Sequence, residues 1–486
     1  MNQNDDDRQQ LLNDNDDDEI LGGGGCGFVA AVMPSDGEYE DRSDCLNHLP
    51  ELCAEEPDQK IQLTYAPAEG ATFIFFVFYL LGIGTMTPWN FFVTAEDYWK
   101  YKFRNTTLNE TDTLDELTPL QKSFTCDLTL TATISGTTFL ILNAVYGKHV
   151  SLGVKLLGTL TAILVLFGIT TAFVEINTDN WQEQFFLITL IIVVILNISA
   201  ATMSGGLYGI AGLFPSEYMT AVVSGQALGG IITALAFILV LALDTEPKTT
   251  AFIFFILGIV LISFCIVCYI IMVRQPYFNY YLNGGDQYKI IKAAPSHSRE
   301  EDIGVPLEPI MSHVLGKIFM QTITLALLYA TTLSVYPAVT ILMQSEHYGS
   351  KSAWSDIYYM PVVNYLFFNC GDYFGRLLAG WWDKPTNRHT TFLFTIVRVL
   401  FVPFFLCSNS SEHYFLPILI KHDAAFISMM IVFGLSNGYL TNNLLIMVPR
   451  RVKQHEKELA SSIMAASLSC GMVLGSLLSM AFVQML

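Results

Sequence analysis

Three polar residues in the segment NCGDYFGR have the types and the spacing to form a polar site inside a membrane-spanning helix. Asn369, Asp372 and Arg376 stand at positions i, i+3 and i+7, which a helix places within about 60° of one face. Apolar residues on both sides put this face at membrane depth, where an unpaired charge costs ~2.5–3.5 kcal/mol. Asp372 and Arg376 can offset part of that cost by pairing across one helical turn.

This spacing supports two interpretations. A carboxylate accepts hydrogen bonds from hydroxyl groups and a guanidinium donates in a fixed fork, so the face could line a cavity for a hydroxyl-bearing solute. Alternatively, the ion pair could lock the helices and bind nothing. Amides in other apolar segments, among them Asn437 and Asn442, indicate interhelical hydrogen bonds or a water-filled pathway.

A second unusual stretch, LGIGTMTPWNFFVTA, follows a strongly apolar run. A tryptophan near the end of a span is typical of an anchor at the membrane interface, and a proline is tolerated there as a kink. In the other interpretation, Pro88 bends the helix and turns Trp89 towards the cavity.

These residues must be positioned by a bundle of membrane-spanning helices. Of the 486 residues, 52% are hydrophobic and 14% are charged, and the mean hydropathy is +0.44. A typical soluble protein carries about 25% charged residues. Runs long enough to cross a hydrocarbon core of ~30 Å predict an all-α polytopic membrane protein with eleven helices. The predicted spans are 71–94, 125–147, 153–174, 185–208, 217–243, 250–273, 314–343, 355–382, 391–408, 424–448 and 459–484.

The polar connection 274–313 divides the spans into six and five. We expect an N-terminal six-helix bundle over 66–273 and a C-terminal five-helix bundle over 314–486, joined by a cytoplasmic loop. The bias of Lys and Arg predicts a cytoplasmic N-terminus and an outside or lumenal C-terminus. Three sequons fall in loops on the outer side and predict glycosylation there: Asn105, Asn109 and Asn409.

The net charge of −19 belongs mainly to the N-terminal tail. Residues 1–70 hold 18 acidic and 3 basic residues, a net of −15. We expect residues 1–65 to be a disordered cytoplasmic tail, because acid-rich segments with few aromatic residues bury too little surface to fold. The run from Asp7 to Leu11 and Leu12 matches an acidic dileucine signal, which predicts clathrin adaptors as partners.

Partial matches to catalytic and metal-binding motifs lie in the wrong context. Cys265 and Cys268 have the spacing of a redox or zinc pair, but they lie in an apolar span without histidine partners. Gly434-Leu-Ser-Asn-Gly438 matches a hydrolase elbow, but the preceding strand is missing from its helical surroundings. We therefore predict no enzymatic activity, no metal, no cofactor and no nucleic-acid polymer as partner.

Several motifs, in chain order, resemble the equilibrative nucleoside transporters (solute carrier family 29). LGIGTMTPWNFFVTAEDYW is similar to the first span of that family, and GLYGIAGLFP and VVSGQALGG to the fourth and fifth. NCGDYFGRLLAGW resembles the eighth span and FGLSNGYLTNN the tenth. Within the family, the first loop and the dileucine tail are most similar to the lysosomal member.

The resemblance implies a fold related to the major facilitator superfamily. It implies equilibrative transport of nucleosides such as adenosine and uridine, with nucleobases left open, across the plasma membrane or an endosomal–lysosomal membrane. It also implies a packing role for Gly225. Ser204 departs from the glutamine that many members carry, so base selectivity does not carry over. The implied substrate-binding residues are Trp89, Asn369, Asp372 and Arg376.

Two alternatives remain open at this level. The buried carboxylate of Asp372 could titrate, which would suit a proton-linked nucleoside carrier of an acidic organelle. A membrane-bound enzyme or receptor would need a nucleophile, a metal cluster or a folded extramembrane domain, and the sequence indicates none of these. Alternating access by rocking of the two bundles fits the leading interpretation.

Overall fold

The computed structural model describes residues 70–104, 118–243, 246–283, 310–382, 387–410 and 417–485. The predicted acidic tail lies outside these residues. So do the dileucine residues and two of the three sequons: Asp7, Leu11, Leu12, Asn105 and Asn109.

Six long helices lie in the described residues before position 284. They are α1 Ala71–Thr94, α2 Pro119–Tyr146, α3 Thr159–Glu175, α4 Gln182–Ala211, α5 Ser216–Leu243 and α6 Pro247–Val273. Local chemistry explains where some of them begin. Thr118 caps α2 in a capping box with Gln121, and a proline occupies the first turn of α2 and of α6.

The described residues after position 309 form the other main helices. They are α7 Met311–Val335, α8 Phe368–Trp381, α9 Arg388–Arg398, α10 Asp423–Met447 and α11 Lys457–Met485. Two π-helical turns, Trp354–Tyr358 and Pro361–Phe367, extend α8 towards its N-terminal side. Pro361 has no backbone N–H to donate, which favours a departure from regular α-helix at this point.

Ten helices in the described part of the chain are long and apolar enough to cross a membrane. This confirms the predicted all-α polytopic fold. The predicted eighth span, 355–382, is not among the ten; its regular helix α8 has 14 residues and carries Asp372 and Arg376. The number eleven therefore stays a prediction.

Glycines allow three pairs of helices to pack backbone against backbone: α1 with α5, α7 with α11, and α8 with α10. A Cβ on Gly438 of α10 would overlap the carbonyl oxygen of Asp372, and one on Gly375 of α8 would overlap that of Leu435. Gly225 of α5 lies in the same way against the carbonyl oxygen of Tyr79 in α1. The close approach of α10 fixes the position of Asp372 within the bundle.

We expect Gly438→Ala to destabilise the protein by ~1–3 kcal/mol or more, because the rigid backbone of α8 cannot yield to the added methyl group. Gly316→Ala is the matched control, since a Cβ on Gly316 of α7 would meet nothing within 4 Å. Thermal unfolding in detergent, followed by size-exclusion chromatography, measures both variants. Equal unfolding temperatures for the two variants would contradict the backbone contact.

Candidate functional site

The predicted ion pair forms inside the bundle. Asp372 and Arg376 lie one turn apart on α8, and Arg376 Nη2 is 2.8 Å from Asp372 Oδ2. Their side chains are only 6% and 8% exposed. A buried pair is stable only when further hydrogen bonds satisfy the remaining polar atoms, so the surrounding helices must supply partners.

Helix α10 supplies partners for both residues. Asn437 Nδ2 donates to the second carboxylate oxygen, Asp372 Oδ1, at 2.7 Å. One turn further along α10, Asn442 Nδ2 donates to the backbone carbonyl of Arg376 at 2.6 Å. Both oxygens of the carboxylate therefore accept a hydrogen bond, one from a charged group and one from an amide.

Arg376 also connects the C-terminal helices to the N-terminal ones. Its Nη1 donates to the carbonyl oxygen of Val223 in α5 at 2.6 Å. Its Nε, in contrast, is buried and has no acceptor among the described residues. A buried donor without an acceptor costs ~1–3 kcal/mol, which makes this atom a candidate position for an oxygen of a bound solute.

Asn369 lies on the same face of α8, one turn before Asp372. Its Nδ2 donates to the carbonyl oxygen of Tyr365 at 2.8 Å, and its Oδ1 lies where a Cβ on Gly230 of α5 would be. Asn369 and Arg376 therefore both contact α5, Asn369 at Gly230 and Arg376 at Val223.

Trp89 lines a cavity between two of the N-terminal helices. Helix α1 continues through Pro88, and Trp89 lines a small cavity with Pro88 and Phe92 of its own helix. The other lining residues come from α4: Val193, Leu196, Asn197 and Ala200. Trp89 therefore contributes to a cavity between α1 and α4, and α8 contributes none of the lining of that cavity.

A second polar network lies in the N-terminal helices. The hydroxyl of Tyr208 in α4 donates to Gln226 Oε1 of α5 at 2.6 Å, and Gln226 Nε2 donates to Thr85 Oγ1 of α1 at 3.1 Å. Tyr208 lies close enough to Arg376 and Asp372 for their charges to act on its hydroxyl. This network therefore faces the ion pair from the other half of the bundle.

One end of the bundle is closed by contacts between the N-terminal and the C-terminal helices. Lys155, just before α3, forms an ion pair of 3.0 Å with Glu458 of α11. Nearby, Gly212 packs against Ser461 of α11, and Asn442 Nδ2 donates to Thr220 Oγ1 of α5 at 3.1 Å. In the predicted topology this end is cytoplasmic.

Sequence reasoning missed two residues of the site. Arg398 in α9 and Thr332 in α7 connect to Asn437 through hydrogen bonds. A signal for Arg398 was present, because a single charge in the apolar run TIVRVLFVPFF is costly at membrane depth. Thr332 had none, since threonine is common in such helices.

The remaining sequon lies in a described connection. Asn409 Nδ2 donates to the carbonyl oxygen of Gln344 at 3.1 Å, and Gln344 N donates to Asn409 O at 2.8 Å. Glycosylation of Asn409 stays a prediction.

Comparisons with known proteins identify the family of the chain. The family model "Nucleoside transporter" matches residues 190–484. Equilibrative nucleoside transporter 1 of Homo sapiens is 32% identical over 454 residues, which cover 86% of this chain and 98% of that relative. Equilibrative nucleoside transporter 2 of Rattus norvegicus is 32% identical over 451 residues, again 86% and 98%.

Equilibrative nucleoside transporter 3 of Rattus norvegicus is 29% identical over 412 residues, 83% of this chain and 87% of the relative. These identities are similar and do not single out one subtype. The family match covers more than half of the chain, and the relatives match over most of their own length. The chain therefore belongs to the nucleoside transporter family.

Proposed function

We propose that the protein carries nucleosides across a membrane down their concentration gradient. The family consists of transporters rather than enzymes, and the relatives are named equilibrative nucleoside transporters. The observation that carries the proposal for this chain is the buried Asp372–Arg376 pair between α5 and α10. A neutral solute that runs down its gradient needs no bound ion to drive it.

The pair offers groups that complement a ribose. Asp372 can accept from a ribose hydroxyl beside the Asn437 amide, because a carboxylate offers about four lone-pair sites. Arg376 Nε, which has no acceptor among the described residues, can donate to a ribose oxygen. Asn369, one turn away, extends the polar face along α5. Together these groups recognise the sugar, which purine and pyrimidine nucleosides share.

Alternating access follows from the closed end of the bundle. The contacts of Lys155 with Glu458 and of Thr220 with Asn442 join the two halves there. Opening the site to that side requires these contacts to break while the halves rock against each other. Because Glu458 is half-exposed, water can replace Lys155 as its partner, so the ion pair can break when this end opens.

We also propose where the transporter resides. Ten apolar helices and the family show a multi-pass membrane protein. The dileucine motif at Asp7, Leu11 and Leu12 supports sorting by clathrin adaptors between the plasma membrane and an endosomal or lysosomal membrane. Adenosine and uridine are the proposed substrates.

We expect Asp372→Asn and Arg376→Met each to reduce uptake at least tenfold, since each removes a charge-assisted hydrogen bond of ~1.5–3 kcal/mol. The measurement is uptake of radiolabelled uridine and adenosine in transporter-null cells, normalised to the amount of protein at the surface. Asp97→Asn, at an exposed position, is the control. The double variant Asp372→Arg with Arg376→Asp keeps the pair in exchanged positions. If it restores full uptake, the pair is only a structural lock.

We expect Lys155→Met to open the closed end more often, because it removes one contact between the halves. A pair exposed on one side contributes up to ~1 kcal/mol, so the open population should rise up to about fivefold. Maleimide labelling of Ser461→Cys, buried at this end, measures the change from the side predicted to be cytoplasmic. Lys453→Cys, exposed at the same end, should label equally with and without Lys155→Met. Unchanged labelling at position 461 would exclude the gating role.

Trp89 remains a proposed substrate contact. We expect Trp89→Phe to change the ratio of the KM values for adenosine and uridine about threefold, because a smaller ring offers less surface for stacking on the base. Trp382→Phe is the control, since this indole is 61% exposed at the end of α8. If the two variants behave alike, Trp89 is an interface anchor or a packing residue.

A further inference from the structure

Arg398 is a second buried guanidinium for which the proposed transport mechanism has no role. It is the last residue of α9 and only 2% exposed. Its Nε donates to Ser436 Oγ at 2.9 Å, and its Nη2 donates to the carbonyl oxygen of Phe433 at 2.9 Å. Its guanidinium carbon also lies 4.1 Å from the centre of the Phe433 ring. Among the described residues, no carboxylate lies within ion-pair distance of it, so this charge is held by neutral groups alone.

The remaining contact of Arg398 begins a chain of hydrogen bonds that ends on the site. Arg398 Nη1 donates to Thr332 Oγ1 at 2.7 Å. Thr332 Oγ1 lies 2.9 Å from Asn437 Oδ1, and Asn437 Nδ2 lies 2.7 Å from Asp372 Oδ1. All four residues are buried.

The donor and acceptor properties of the four groups allow only one direction of donation along this series of hydrogen bonds, from Arg398 towards Asp372. A guanidinium can only donate, so the oxygen of Thr332 must accept from Arg398. The single hydroxyl proton of Thr332 is then available for Asn437 Oδ1 or for the carbonyl oxygen of Leu328, 2.8 Å away. The carboxylate of Asp372 can only accept, so the NH₂ group of Asn437 faces it, and the Oδ1 of Asn437 faces Thr332 and takes the hydroxyl proton. With its oxygen bound to Thr332, Asn437 can present only its NH₂ group to Asp372.

We propose that Arg398 is a positioning residue that acts through Thr332 and Asn437 to hold Asp372 as a hydrogen-bond acceptor for a substrate hydroxyl. The inference rests on the proposed transport of nucleosides. An amide donor on one oxygen fixes the orientation of the carboxylate, and Arg376 fixes the other oxygen. Without Arg398, the hydroxyl of Thr332 can turn to Leu328 and the amide of Asn437 can rotate. The carboxylate of Asp372 would then lose the donor that fixes its orientation.

Thr332→Val is the sharpest test, because it removes the hydroxyl and keeps the shape of the side chain. We expect the KM for uridine to rise about tenfold, which corresponds to a weakened bond to a charged group. The KM for 2′,3′-dideoxyuridine should stay unchanged, since this substrate lacks the 2′- and 3′-hydroxyl groups that would donate to Asp372. Thr332→Ser restores the hydroxyl and should restore the KM for uridine.

Two further variants complete the experiment. Thr331→Val is the matched control, because the hydroxyl of Thr331 donates to the carbonyl oxygen of Leu327 in its own helix and should leave both KM values unchanged. Arg398→Met should have the same effect as Thr332→Val, a raised KM for uridine with an unchanged KM for 2′,3′-dideoxyuridine. If Arg398→Met fails to reach the membrane, the Thr332 variants still decide the matter.

The outcomes are distinct. If Thr332→Val raises the KM values for uridine and 2′,3′-dideoxyuridine equally, or raises neither, the positioning role is overturned. The proposed function stays intact in that case, as long as the wild-type protein takes up uridine. If the wild-type protein moves neither uridine nor adenosine faster than empty cells, the proposed function fails and this inference fails with it.

Discussion

Burying a carboxylate and a guanidinium at membrane depth is the constraint on which the arrangement of the C-terminal helices depends. The two charges pair with each other on α8, but Asp372 Oδ1 still needs a donor, so α10 has to approach α8 closely enough for Asn437 to reach that oxygen. At the same contact, Asn442 donates to the backbone carbonyl of Arg376. Glycines at 375 and 438 permit that approach because no side chain separates the two backbones. The glycine pattern and the polar site therefore depend on each other.

The same pair also links the two halves of the bundle. Arg376 donates to a backbone carbonyl of α5, which in turn packs against α1 through Gly225. A movement of the halves must therefore change the surroundings of the guanidinium. This gives a physical reason for a solute that binds Arg376 to influence which end is open, because it can bind the two arrangements with different free energies.

Some parts of the site can be predicted from the spacing of residues along the sequence. The ion pair and the shared face of Asn369, Asp372 and Arg376 follow from helical spacing, and the structure contains both. The all-α polytopic fold follows from the lengths of the apolar runs. Spacing also indicates which glycines can pack closely, although it does not say against which helix.

The rest depends on how different helices meet. Thr332, Asn437 and Arg398 lie on three helices, so nothing in their spacing along the chain brings them to Asp372. The side on which Trp89 lies depends likewise on how α1 packs against α4, and the structure places it at that contact. Residues of this kind are found only when the packing is known, although an isolated charge such as Arg398 marks a position that needs partners.

A structure of the full-length protein with bound uridine would test the central claim most directly. We predict a ribose hydroxyl within hydrogen-bond distance of the Asp372 carboxylate and a ribose oxygen near Arg376 Nε. A uridine bound away from α8, with the contacts of Asp372 and Arg376 unchanged, would contradict it.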